Sequence, residues 1–155
     1  MNGFFLLIPF LLVRFGLLSA LDRRVIGRAA HFAPMAGRER IAYWVYQLAN
    51  AAIFVYLCFL RVRIEAAWPF YAGLAGYACG LVLCAASMAD FAAPSEAGFS
   101  SGGLYHFSRN PMYVSYFLIF ADCALLMRSL ALFAMVFVFQ AAAHWIILAE
   151  ERWCV

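Results

Sequence analysis

Residues 111–149 read PMYVSYFLIFADCALLMRSLALFAMVFVFQAAAHWIILA, and this stretch decides the fold. It holds two apolar runs, 111–127 and 129–149, and the only formal charge inside either is Asp122 in the first. A helix needs about 20 residues to cross the hydrocarbon core of a bilayer. The second run reaches that length and the first is shorter. Arg128 and Ser129 alone stand at the junction, so the two runs predict a tight antiparallel helical hairpin.

Three more runs precede the hairpin: 4–21, interrupted by Arg14, and the uncharged 41–60 and 68–89. Hydrophobic residues make up 68% of the 155 residues and charged ones 12%. A soluble domain is about half apolar and a quarter charged, so this composition excludes an ordinary soluble enzyme, a disordered chain and a nucleic-acid-binding module. The first run lacks the basic flank and the small-residue cleavage site of a signal peptide. The expected fold is all-α: a polytopic transmembrane helix bundle of about five spans, ending in the hairpin. Residues 1–155 are read as a single integral membrane domain, with a cytoplasmic loop over 90–110.

Orientation follows from the basic residues, all 11 of which are Arg. With the N-terminus outside, seven loop and tail Arg fall on the cytoplasmic side and three outside. Tyr43, Trp44, Tyr46 and Trp68 then lie near span ends as interfacial aromatics. All-Arg basicity and abundant Ala read as a GC-rich bacterial genome, hence a bacterial inner membrane. None of the five Cys forms a CxxC pair and four lie in apolar runs, so they read as small buried hydrophobes, with no metal site. Gly73, Gly76 and Gly80 offer a small-residue helix-packing face. Arg14 and Asp122, two costly charges inside spans, are expected to pair.

Chemistry-bearing residues gather at two places. The first is the 90–110 loop and the helix start after it. Gly102-Gly103 permits unusual backbone angles. Asn110 suits an N-cap and Pro111 the first helical position, so with Arg109 this helix start forms a small anion site. The second is the fifth span, where Gln140, His144, Ile147 and Glu151 share one face, expected to look into protein or a wet cavity. Glu150 and Glu151 close that helix against its dipole. The hairpin brings the two places to one end, where a cationic helix start, two glycines, Tyr105, Tyr113 and two carboxylates suit a zwitterionic or cationic ligand.

The run Gly103-Leu-Tyr105-His-Phe-Ser-Arg109-Asn110-Pro111-Met-Tyr113, followed by a hydrophobic hairpin and Glu150-Glu151, resembles the isoprenylcysteine carboxyl methyltransferase family and its phospholipid-methyltransferase relatives. The resemblance implies an integral membrane methyltransferase using S-adenosylmethionine, acting on a lipid or lipidated acceptor at the cytoplasmic face. It assigns Gly103, Tyr105, Arg109, Asn110, Pro111, Tyr113, Glu150 and Glu151 to the cofactor, and Arg109, Glu150 and Glu151 to catalysis. Two departures carry expectations. Asn110 replaces the His commonest in the carboxyl methyltransferases, which leaves the acceptor open among a prenylated cysteine, a phospholipid amine and a bacterial lipid metabolite. Four residues follow Glu151 where relatives continue with an aromatic and basic tail, so a weaker cofactor pocket is expected.

Three rival readings follow from the residues. The chain is a non-catalytic, degenerate membrane protein of the same fold; or Gly98-Phe-Ser100-Ser-Gly102 is a hydrolase elbow, although no strand precedes it; or it is a transporter, although no broken-helix repeat is seen.

Overall fold

The computed structural model describes residues 1–21, 34–92, 103–106, 108 and 110–153. Every apolar run becomes a helix. Helix α1 spans Phe4–Leu21, α2 Arg38–Phe59, α3 Trp68–Ala92, α4 Pro111–Met127 and α5 Leu130–Trp153, with a 3-10 turn at Gly103–His106. Three helices overrun the apolar stretches. α2 begins at Arg38, α3 continues through Asp90, and α5 continues through Glu150, Glu151 and Arg152. Charge marks where a chain leaves hydrocarbon, whereas a helix ends where its backbone bonds are terminated.

The helices turn large apolar side chains outward. Leu48 and Val82, in the middle of α2 and α3, are 67% and 69% exposed. Such surfaces need lipid rather than water. With five apolar helices, four of them at least 18 residues long, the chain is a multi-pass membrane protein of the expected all-α class.

The hairpin forms as its sequence requires. Arg128 adopts a left-handed conformation that ends α4, and the Leu132 amide donates to Ser129 Oγ at 3.2 Å, starting α5. Arg128 also pairs with Glu65 at 2.7 Å. α3 packs along α4, and α2 along α5. The α3–α4 contact runs through the expected glycines: Gly73 faces Leu126, Gly76 the Asp122 carboxylate, and Gly80 Ile119. α1 lies against α3 and α2, where the Tyr77 hydroxyl donates to the Leu6 carbonyl. A cluster of rings fills the bundle. Phe10 meets Phe54, Tyr116 and Phe120 at centroid distances of 6.2, 5.5 and 5.3 Å.

Backbone bonds tie the N-terminus to the segment after α2 and to the hairpin turn: Gly3 to Leu60, Val62 to Met1, Arg63 to Leu126. The opposite end gathers the start of α2, the end of α3, the start of α4 and the end of α5. Arg152 meets Glu39 there at 2.5 Å.

Two expectations are corrected. Arg14 and Asp122 do not pair. Arg14 lies about 15 Å along α1 from Phe4, whereas Asp122 lies only about 8 Å from the hairpin turn at the same end of the bundle. The Arg14 guanidinium sits instead over the Tyr116 ring at 4.9 Å, and the Asp122 carboxylate abuts Gly76 with Oδ2 lacking a hydrogen-bond partner. The effects of Arg14→Gln and Asp122→Asn on the unfolding midpoint in detergent are therefore expected to add within about 0.5 kcal/mol; rescue of one by the other would restore the paired arrangement. Tyr46 is no interfacial aromatic. It is 4% exposed and stacks on Phe139 at 4.7 Å, whereas Trp44 and Trp68 do face outward.

Among the described cysteines, Cys84 and Cys123 are buried and Cys58 and Cys79 exposed, all as free thiols.

Candidate active site

Pro111 opens α4 at its first position, where its missing N–H costs nothing. Asn110 occupies the N-cap position, but its side chain makes no capping bond; its φ of −137° and ψ of 61° set the backbone entry alone. Its own amide donates to Ser108 Oγ at 3.4 Å. The expected side-chain cap is thus corrected to a backbone role.

Gly103 is fixed by geometry. Its φ is +61°, and a Cβ there would stand 2.5 Å from Asp90 Cγ. Asp90, near the end of α3, accepts the Leu104 amide at 2.7 Å. Glycine therefore lets the chain close onto α3 just ahead of α4. Gly103→Ala is expected to cost about 1–3 kcal/mol locally and to break this latch. The measurement is amide exchange: Leu104 should exchange faster while the middle of α4 keeps its protection.

The decisive contact joins the hairpin's open ends. Tyr113, on the first turn of α4, places its hydroxyl near the carboxylate of Glu150, on the last turns of α5, close enough for each group to act on the other. Tyr113 is flanked by Tyr46 and Tyr116, with ring centroids at 6.2 and 6.4 Å. Tyr46 and Tyr113 each lie within electrostatic reach of both Glu150 and Arg14. One carboxylate, one guanidinium and three tyrosines thus line the bundle interior near this end. A carboxylate beside aromatic faces suits a cation.

The inward face of α5 is shifted by one residue from the expected one. Phe139, Ala143 and Ile146 are buried on the side that leads to Glu150, whereas His144 is exposed. Gln140, Ile147 and Glu151 are half-buried at the edge of that face, and Gln140 Oε1 is buried without a partner. A helical wheel drawn through polar residues placed the face at 140, 144, 147 and 151; packing against α2 turns the apolar stripe inward and carries Glu150 with it. Of the expected site residues, Pro111, Asn110, Tyr113, Glu150 and Glu151 therefore cluster at one end with Gly103. Arg109 and the side chain of Tyr105 lie outside the described residues, as does Ser100 of the hydrolase reading. Sequence reasoning missed Tyr46 and Tyr116 and misassigned Arg14. Their only signal was periodicity: Tyr113 and Tyr116 are spaced to share a face, and Tyr46 occupies the side of α2 that also carries Ile53 and Leu57.

An apolar groove of about 560 Å³ runs between α2 and α5, with Arg38 and Trp145 among its walls. None of the expected site residues lines it. Among the described residues no group of three His, Cys, Asp or Glu is placed to hold a metal ion.

A family model described as phospholipid methyltransferase matches residues 68–155, from the first residue of α3 onward. No curated protein and no solved structure matches the chain.

Proposed function

The chain belongs to the phospholipid methyltransferase family, hence to the membrane methyltransferases, and from that premise we propose that it transfers a methyl group from S-adenosylmethionine to a lipid or lipidated acceptor at the cytoplasmic face. The observation that carries the reading is the proximity of Tyr113 and Glu150, which joins the start of α4 and the end of α5 at one locus.

The residues present fit a sulfonium donor. Glu150 supplies a negative charge with an aromatic surround, and the start of α4 supplies unpaired backbone N–H groups for a carboxylate. In this reading Gly103, Tyr105, Arg109, Asn110, Pro111, Tyr113, Glu150 and Glu151 hold the donor, with Arg109, Glu150 and Glu151 closest to the reacting atoms. When bound, S-adenosylmethionine supplies an activated methyl group. The chain's own task is then small. Tyr113 is placed to orient the Glu150 carboxylate, the ring cluster around Phe10 excludes water from below, and the helix ends align donor and acceptor. The acceptor enters sideways from lipid. In this reading the end that carries the site faces the cytoplasm and the N-terminus lies outside, in a bacterial inner membrane; the excess of Arg in the flanking segments supports that orientation.

The test is methyl transfer from radiolabelled S-adenosylmethionine to total membrane lipid by purified protein. Label in a lipid band is expected. Absence of label together with absence of donor binding would favour the non-catalytic reading.

A further inference from the structure

The groove between α2 and α5 has no task in the site described above. Its volume of about 560 Å³ lies in the range of ligand pockets. Arg38, Ala42 and Val45 follow one face of α2, and Val138, Ala142 and Trp145 one face of α5. Each set covers about 10 Å of helix. Ala42 and Ala142 are buried and form the floor, whereas Val45, Val138 and Trp145 are exposed and form the walls. A floor of single carbons leaves a channel where larger side chains would close the two helices together. α2 begins and α5 ends at the same end of the bundle, where Glu39 meets Arg152. Arg38 and Trp145 therefore stand together at one mouth of the groove, and Val45 and Val138 at the other. The first mouth is cationic. Arg38 is exposed and forms no ion pair among the described residues; Glu39 beside it is taken by Arg152, and Arg40 is exposed as well. Beyond Arg38 no charged residue lines the groove. A Trp beside an Arg at a span end marks the level of the membrane interface.

We propose that this groove is a second lipid site, which holds an anionic phospholipid with its phosphodiester at Arg38 and one acyl chain along the alanine floor. The lipid is bound and not methylated: none of the expected site residues lines the groove, and an anionic lipid such as phosphatidylglycerol has no amine. The assignment stands whether or not the methyl-transfer reading does. Charge complementarity selects the occupant. A guanidinium fork matches a phosphodiester through two parallel N–H···O bonds, and basic pockets between membrane helices recur as sites for anionic headgroups. A zwitterionic headgroup would bring its own cation up to Arg38 and Arg40. The body of the groove calls for hydrocarbon, because water there would find too few polar partners. A chain seated between Ala42 and Ala142 touches α2 and α5 at once, and so braces the helix whose last turns carry Glu150.

Native mass spectrometry of the detergent-purified chain tests this without donor or turnover. Dioleoyl phosphatidylglycerol and dioleoyl phosphatidylcholine are added in equal amounts, and the lipids retained on each protein are identified. Wild type is expected to hold one phosphatidylglycerol in preference to phosphatidylcholine by about fivefold or more. Arg38→Gln should bring the two lipids to parity. Ala141→Phe, at an exposed position on the groove wall, fills the channel and leaves Arg38 in place. It should lose the held lipid, which separates a seated chain from attraction to surface charge. Equal retention of the two lipids by wild type overturns the assignment, as does an unchanged preference in Arg38→Gln or unchanged retention in Ala141→Phe. A lipid-free dimer of wild type also overturns it and gives the groove to a second copy of the chain. The wild-type comparison decides the matter even if a variant fails to fold.

Discussion

Gly80→Val is expected to break the bundle, lowering its stability by roughly 3 kcal/mol or more. The reason lies in the distance between α3 and α4. A Cβ on Gly80 would sit 2.7 Å from Ile119 Cγ1 and 3.2 Å from the Ile119 backbone nitrogen. A flexible side chain can swing away from such a clash, but the backbone of α4 cannot. Ile119 is 1% exposed, so it has no room to repack. In a membrane the helices gain little from hydrophobic exclusion of one another, and close packing through small residues carries the association. Forcing α4 away from α3 also moves the start of α4, so activity and fold should fail together. Gly16→Ala is the matched control, since nothing lies within 4 Å of the added carbon. Denaturation midpoints in mixed detergent micelles provide the comparison, and a Gly80→Val midpoint equal to wild type would refute the close α3–α4 approach.

The second large effect belongs to the hairpin's open end. Glu150→Gln should lower methyl transfer by about 100-fold and Tyr113→Phe by about tenfold, with folding intact in both. The larger loss removes a charge that a cationic donor needs, in a region where hydrogen bonds to charged groups contribute about 1.5–3 kcal/mol. The smaller loss removes only the hydroxyl that orients it. Because Tyr113 is read as acting through Glu150, the double variant should lose little more than Glu150→Gln alone. Independent, multiplying effects would show that the Tyr113–Glu150 contact is incidental to the reaction.

The fold was legible because its cause is coarse. Runs of apolar residues and the charges between them placed every helix, and a two-residue junction could only be a hairpin. Gly73, Gly76 and Gly80 were readable as a packing stripe because a membrane gives such spacing few other uses. Pairing of polar groups was not legible. Arg14 and Asp122 were matched because both are charges within spans, yet counting along the helices from a common end separates them by roughly 7 Å in depth. The inward face of α5 was drawn through its polar residues, whereas the buried stripe of Phe139, Ala143 and Ile146 sets the rotation and turns Glu150, not His144, toward the interior. Tyr46 shows the same limit. An aromatic near a span end reads as interfacial until a partner such as Phe139 claims its ring.

The central claim is that the start of α4 and the end of α5 hold one methyl donor. Calorimetric titration of S-adenosylmethionine into detergent-purified wild type and Glu150→Gln measures this most directly. Saturable binding by wild type, weakened at least tenfold by Glu150→Gln, is the expected result. Absence of heat from wild type at millimolar donor, or equal affinity in the two proteins, would contradict it.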